Sequence, residues 1–459
     1  MTTIFKYYYG RIHQALKFLI PPGRNVLYLG PSRMGCLPEL KPSKMVVVDP
    51  EYSDSASGSQ PPEVEIIKTS YETFFPQEKY EDVVLISVLG DLDDISGLMG
   101  RIYEKCQPSS RLIIYQHNHL WQYFLDFASR LGIKNRGKAQ NWMSVRDLKT
   151  FLSVAGFDTT RTFSQTIMPL RLFGLGVIMN RLVAIFPILD FLLLDQFIIA
   201  RPKAKPQTLN DPAPSLTICI TVRNEKGNIE PLVKNLHQVA KEQEILFVEG
   251  HSEDGTLEEI QRVKDAYPAK NVRVIGQPGK GQGDAIRVGF KAAKGDIIAL
   301  YEGDGTSIPE DLDFFYNALR YHRSDFLEGS RLIYPLNRAA MPFTNQFGNS
   351  VFAIWFSWFL GQYSTDVLSG IKALRRKDYQ LIYDNWGFLG MEDPFGDFEL
   401  LFGAARLGLK INEIPIRYQP RSYGESKTNV VRHGLLLLKM AIHGHMIFRT
   451  MTPRKKNHE

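Results

Sequence analysis

Glu302 and Asp304 stand two apart across a glycine at the end of Ile297–Tyr301, a short apolar run entered through Gly295 and Asp296. A run of that length predicts a buried strand of an α/β sheet, and ligands of open α/β sheets bind beyond the carboxyl ends of the strands. Hard carboxylate oxygens there suit Mg²⁺ or Mn²⁺, which keep coordination positions open for phosphate oxygens. The expected chemistry is a metal–diphosphate site, and the alternative is a solvated turn that happens to be acidic.

Three more strand ends of this kind precede it. Ser215–Val222 runs into Arg223, Asn224 and Glu225; Glu244–Val248 runs into the polar stretch Glu249 to Thr256; Asn271–Ile275 is followed by Gly279 to Arg287, with glycines at 279, 281 and 283. Glycines let backbone approach a phosphate closely, and Lys280 and Arg287 bring the charge a diphosphate needs, Arg287 one to two turns into the following helix. Any one of these is most simply a turn. Four in order predict one composite nucleotide site.

The stretches 221–229, 248–256, 279–287 and 302–304 resemble the successive motifs of family-two glycosyltransferases with a GT-A nucleotide-diphospho-sugar-binding fold. Gly329–Arg331, Asp366–Ala373 and Arg421–Lys427 resemble the dolichol-phosphate mannose synthase-like branch, and the likeness runs over Ser215 to Arg432. The chain departs from the family at Glu302, where Asp-x-Asp is usual, and at Glu249-Gly250, where two aspartates are usual. The resemblance implies a nucleotide-diphospho-sugar donor. Glu225 and Glu249 would lie near its nucleoside, Lys280, Arg287 and Lys427 would supply charge to its diphosphate, Val222, Asn224 and Asp284 would also bind the donor, and Asp304 with Glu302 would hold the divalent cation. Arg421, in a segment with Gly424 that suits a closing loop, would stabilise the departing diphosphate with Lys427. Phe395–Phe402 faces the acceptor in that family. If the acceptor is a sugar hydroxyl, Asp397 is the candidate general base; if it is polyprenyl phosphate, already anionic, cations such as Arg331, Lys372 and Arg375 serve instead, with Glu399 beside them. Asp397 could equally be an N-cap or first-turn acid favoured by its helix dipole.

The N-terminal half opens on Val26–Leu29, a glycine turn through Gly35, and a second strand, Met45–Val48, ending in Asp49. With Tyr80–Leu89 and Cys106–Ile114 it resembles a class I S-adenosylmethionine-dependent methyltransferase domain over Arg24 to Pro202. That implies S-adenosylmethionine contacts from Gly30, Ser32, Gly35 and Asp49, with Asp93 or Asp94 bordering the pocket. Tyr28 stands where an acid is common, and Ser32 and Met34 replace glycines, so a fold kept without its reaction stays open.

These readings call for two Rossmann-like α/β domains, which 459 residues can furnish. A proline-rich stretch with four prolines marks the linker at 201–214, leaving a methyltransferase-like domain at 1–200, a GT-A domain at 215–432 and an amphipathic helix with a basic tail at 433–459. Lys and Arg number 55 against 49 Asp and Glu, which allows anionic ligands or a membrane surface and carries no nucleic-acid signature. Cys36, Cys106 and Cys219 are isolated, as in a reducing cytoplasm. Leu182–Ala200, broken by Pro187, Asp190 and Asp195, falls short of a spanning helix. The aromatic run Val351–Leu360 and the segment 434–448, flanked by Arg432, Arg449 and Arg454–Lys456, predict helices buried or lying against the inner face of the cytoplasmic membrane.

Overall fold

The computed structural model describes residues 6–32, 38–52, 62–122, 124, 141–203, 212–335, 340–385, 393–421, 423–424 and 430–451. Two compact units divide the chain: Met1–Lys203 with Arg406–Gly408 and Met446–Thr452, and Ala204–Ala405 with Leu409–His445 and Pro453–Glu459. Gly35, Cys36, Lys427 and Arg454–Lys456 lie outside the described residues.

The first unit runs α1 (Lys6–Leu19), β1 (Asn25–Leu29), β2 (Lys44–Val48), β3 (Val64–Ile67), β4 (Tyr80–Ile86), α2 (Ile95–Glu104), β5 (Cys106–His117), α3 (Val145–Val154), β6 (Phe157–Phe163), α4 (Leu175–Ile185) and β7 (Asp195–Pro202). Its seven-stranded sheet has the order β3-β2-β1-β4-β5-β7-β6. The strands expected from apolar runs are parallel, and β7 enters antiparallel between β5 and β6. Continuous Val, Ile and Leu runs are what strands covered on both faces require, and Leu27, Leu29, Val46, Val48, Leu85, Ile114 and Ile198 pack into one core. The end of the apolar run Leu182–Ala200 is thus a core strand, and β7 continues through Pro202, two residues into the stretch expected as linker.

The second unit runs β8 (Leu216–Val222), α5 (Lys226–Asn235), β9 (Gln243–Glu249), α6 (Thr256–Ala266), β10 (Val272–Gly276), α7 (Gln282–Ala292), β11 (Ile297–Glu302), α8 (Leu312–Arg320), β12 (Phe326–Ser330), α9 (Phe343–Leu360), β13 (Lys372–Arg375), α10 (Arg376–Asp384), α11 (Asp397–Arg406), β14 (Ile411–Pro415) and α12 (Val430–Thr450). Its sheet order is β10-β9-β8-β11-β13-β12-β14. β10, β9, β8 and β11 are parallel neighbours, while β13 is antiparallel to both β11 and β12. β12 and β14 are again parallel, so four of the six pairings in each sheet are parallel and the mainly parallel character expected of both halves holds.

One close approach joins two of the helices that carry the site. A Cβ on Gly283, in the first turn of α7, would fall 2.3 Å from the Asp393 carbonyl oxygen and 3.1 Å from the Gly396 nitrogen, while the Gly283 N–H donates to the Pro394 carbonyl at 2.9 Å. The segment that launches α11 is thereby seated on the start of α7. Gly283→Ala is expected to cost about 1–3 kcal/mol, because the clash is with backbone that cannot rotate away. Urea unfolding checks it, and a loss within error of zero would show that the two segments are not in contact.

Candidate active site

Strand register gathers the polar ends. Val222 pairs with Glu249, Glu249 with Gly276, and Glu302 with Thr221, so β8, β9, β10 and β11 finish at one edge. The chain order reverses between β8 and β11, the point at which such sheets open a crevice. Glu225, just past β8, and Glu249 are both buried. The Glu225 carboxylate accepts from Asn228 Nδ2 at 2.7 Å, and its own N–H donates to Thr256 Oγ1. Asn224 takes a left-handed conformation, φ 52°, and ties the two loops together by donating from its N–H to Ser252 Oγ and accepting the Glu253 N–H. Glu249 accepts the Ser252 N–H at 2.6 Å. Val222 is core: its carbonyl takes the Gly250 N–H, and its side chain sits where a Cβ on Gly303 would be.

Past β11, Asp304 Oδ1 accepts from Thr306 N at 3.1 Å and Thr306 Oγ1 at 2.7 Å, which leaves Oδ2 to the Arg421 guanidinium at 2.8 Å. The other arm of Arg421 donates to Glu225 Oε1, also at 2.8 Å. Arg421 therefore clasps two strand ends together. Tyr423 lies where a side chain on Gly227 would project, and Gly424, φ 76°, keeps the chain turning beside Glu225. Glu302 is half-buried over Gly370; burial, and next the charge of Asp304, push its pKa up to about 7, with Arg331 opposing.

Among the described residues no group of three or more His, Cys, Asp and Glu is arranged around a metal position. Glu302 and Asp304 offer two carboxylates on one edge, with excess negative charge that burial makes costly. Two hard ligands with the remaining positions left to water and phosphate are what Mg²⁺ or Mn²⁺ takes, so the donor set fits.

The glycine loop is shaped from within: Asp284 accepts the Gly279 N–H at 2.9 Å, and Gln277 Nε2 donates to the carbonyls of Gly279 and Gly281. Lys280 is exposed on it. Arg287 reaches Glu399 Oε2 at 3.7 Å and Asp284 Oδ1 at 4.0 Å. Glu399, expected at the acceptor, thus faces the helix of the donor loop.

The cations expected at the acceptor are arranged otherwise. Arg375 pairs in register with Ile297, at the far end of β11 from Glu302, roughly 16 Å away at the rise of a strand. There it donates to Asp325, Leu319 O and Ser324 O, so it takes no part in this site. Lys372 is fully buried and its ammonium turns inward, donating to Ser369 O and lying 3.1 Å from Asp397 Oδ1 and 3.5 Å from Glu328 Oε1. It positions Asp397 and presents nothing to an incoming phosphate. Asp397 is not its helix's cap: Asp393, buried, accepts the N–H groups of Phe395, Phe398 and Glu399. Arg331 is gripped bidentately by Asp366, Nε to Oδ2 at 2.7 Å and Nη2 to Oδ1 at 2.9 Å, and lies over the Tyr418 ring. Burial would raise the Asp366 carboxyl, but Arg331 holds it below the usual range. Thr306, Glu328 and Asp393 were not singled out from sequence; an Asp four residues ahead of an apolar helix was the one available signal.

In the first unit, Gly30 (φ 152°) ends β1 with its Cβ position 3.0 Å from Ile86 Cβ. Asp49, expected to hold ribose hydroxyls, accepts from Ser32 N and Oγ on one oxygen and from Glu51 N on the other. Asp94 caps α2 by accepting the Gly97 N–H.

Glu328 gives the site a pH signature. Burial pushes its pKa up to about 8 against the pull of Lys372, and neither carboxylate oxygen has a hydrogen-bond partner. Its folded pKa lies above the unfolded value, so the native state holds the extra proton and stability falls as pH rises from about 5 to 8. Glu328→Gln is expected to abolish that part of the decline, read as urea unfolding free energies across the range. Parallel curves for the two proteins would refute it.

Residues 217–386 match the family model described as Glycosyl transferase family 2. The low-salt glycan biosynthesis hexosyltransferase Agl6 of Haloferax volcanii is 29% identical over 219 residues, 46% of this chain and 49% of its own. The undecaprenyl-phosphate mannosyltransferase of Micrococcus luteus is 28% identical over 240 residues, 48% of this chain and 93% of its own. The solved glucosyl-3-phosphoglycerate synthase of Mycobacterium tuberculosis superposes with a TM-score of 0.36 at 16% identity, over 52% of this chain and 81% of its own. This chain spans about half the length of Agl6. Glu225, Glu249, Glu302 and Asp304 fall inside the matched stretch and Asp397 and Arg421 beyond it, and over 217–386 the chain is similar to glycosyl transferase family 2.

Proposed function

We propose that residues 215–432 act as a metal-dependent, inverting glycosyltransferase that moves a sugar from a nucleotide-diphospho-sugar to a polyprenyl phosphate, with a membrane-associated glycan as the other acceptor class. The observation that carries this reading is the meeting of Glu225, Glu249, Glu302 and Asp304 at one sheet edge under Arg421. The nucleoside is assigned to Asn224, Glu225 and Glu249, and the diphosphate to the N–H groups that open α7, with Lys280 and Arg287 alongside. Mg²⁺ or Mn²⁺ on Glu302 and Asp304 would neutralise charge that grows on the diphosphate as the sugar leaves. Arg421 then exchanges Asp304 for phosphate oxygens, and its loop covers the donor and keeps water from the anomeric carbon. The acceptor oxygen bonds to that carbon from the face opposite the diphosphate, which departs with the electron pair of the broken C–O bond; one displacement inverts the centre.

A phosphate acceptor arrives with its nucleophilic oxygen already negative and needs no base. That agrees with an Asp397 held against Lys372, and it leaves Arg331, clamped by Asp366, as the cation for the acceptor phosphate. A lipid-linked acceptor is supported by α9, which exposes Phe343, Phe347, Val351 and Ile354 along one side, and by Leu435, Leu438 and Ile442 on α12. No described helix is long and apolar enough to cross a membrane, so the reading is peripheral contact from the cytoplasmic side.

A donor panel scored by nucleotide diphosphate release, with and without vesicles containing polyprenyl phosphate, tests the assignment. Asp304→Ala is expected to lower release about a hundredfold or more. A wild-type chain that hydrolyses no donor and binds no nucleotide diphosphate with Mn²⁺ by calorimetry would sink it.

For the first unit we infer an S-adenosylmethionine-binding fold at the ends of β1 and β2, where Asp49 holds Ser32 and Glu51 in place. Calorimetric titration with S-adenosylmethionine is expected to give heat that Asp49→Ala abolishes. No heat from the wild type ends this reading.

A further inference from the structure

The first unit wears one helix inside out. On α4, Gly176, Asn180 and Val183 face inward, while Leu175, Ile178 and Leu182 are exposed at helical spacing. Asn180 fixes that orientation. Its Oδ1 accepts the N–H groups of Ile167 and Met168 at 2.9 and 3.0 Å, and its Nδ2 donates to Met168 O and to Tyr7 Oη at 2.9 and 3.1 Å, so its amide is fully used. Gly176 presses on the segment before it so closely that a Cβ would fall 1.9 Å from Leu170 O. Rolling α4 to hide its apolar stripe would break all of these contacts.

The stripe continues past both helix ends through exposed Phe173, Phe186 and Phe191. It widens sideways where Trp121 donates from Nε1 to Leu192 O at 2.8 Å and packs at a tilt near exposed Phe124, ring centroids 5.6 Å apart. Apolar ground this continuous on a folded surface marks a binding face. Its charges say what it binds. Residues 164–193 contain three charged side chains, Arg171, Arg181 and Asp190. Both arginines are exposed, and Asp190 is already held by both arms of Arg449.

We propose that this face seats on an anionic lipid bilayer, with α4 lying in the headgroup boundary, its leucine–isoleucine stripe downward and Arg171 and Arg181 among the phosphates. A second copy of the chain is the poorer occupant, because self-pairing would bring Arg171 and Arg181 towards their own copies with no free acid in this segment to answer them. The assignment stands on the first unit alone and does not rest on sugar transfer.

Vesicle flotation of the full chain tests it. Wild type is expected to float with phosphatidylcholine vesicles that contain phosphatidylglycerol and to bind pure phosphatidylcholine more weakly. Phe173→Ser with Ile178→Ser should weaken binding about tenfold or more, since each removes an apolar side chain from the boundary. Arg171→Gln with Arg181→Gln should erase the preference for phosphatidylglycerol, about fivefold for each arginine. All four side chains are exposed, so unchanged melting temperature and unchanged donor hydrolysis in vesicle-free buffer verify folded variants. No flotation of the wild type, serine variants that float as the wild type does, or a light-scattering dimer that the serine variants dissociate would each overturn the proposal.

Discussion

Negative charge crowded at one end of a sheet is the constraint around which the second unit is arranged. Parallel register forces Glu249 beside Val222 and Glu302 beside Thr221, and the loops add Glu225 and Asp304. Carboxylates so placed repel one another in a medium that solvates them poorly, and each must be answered by a cation or give up its charge. Both outcomes are present. Arg421 answers Glu225 and Asp304 together, whereas Glu302 and Glu328 are pushed towards the protonated form. The edge is thus left short of positive charge at Glu302, beside Asp304, where a divalent ion with a diphosphate would restore balance.

The same shortage explains where the buried cations went. Lys372 turns its charge inward: it donates to Ser369 O and lies 3.1 Å from Asp397 Oδ1, with Glu328 Oε1 3.5 Å away. Because Glu328 resists ionisation, Asp397 is the carboxylate that Lys372 chiefly holds. Arg331 is likewise fixed by Asp366, which Asn349 also contacts, and Glu413 holds the 364–366 loop by accepting Ser364 Oγ and the N–H groups of Thr365 and Asp366. Breaking such a pair by removing one partner costs far more than the pair contributes, so Lys372 is scaffolding even where it borders the site, and Asp366 holds Arg331 in one position.

The apolar runs expected as strands are strands in the structure, because an apolar run has its cause in local burial. The antiparallel strands were illegible for the opposite reason. Phe326–Ser330 buries Glu328, Lys372–Arg375 begins and ends with a cation, and Phe157–Phe163 buries Arg161 against the rings of Phe163 and Phe448. Charged residues read as surface until their distant partners are known. The site divides the same way: strand-end carboxylates and the glycine loop follow from local sequence, whereas the direction in which Lys372, Arg375 and Glu399 point depends on residues far along the chain.

Glu302 shows how a departure from a family pattern can be absorbed. A glutamate is one methylene longer than the usual aspartate, and that length must go somewhere at a crowded edge. It is laid over Gly370, where a Cβ would fall 2.1 Å from Oε1, so the β11 end and the turn into β13 accommodate each other only while residue 370 has no side chain. The carboxylate then lies between Asp304 and Arg331, feeling the first as repulsion and the second as attraction. The two carboxylates are therefore unequal: Asp304 is held by Thr306 and Arg421, whereas Glu302 has burial and the charge of Asp304 working against its ionisation.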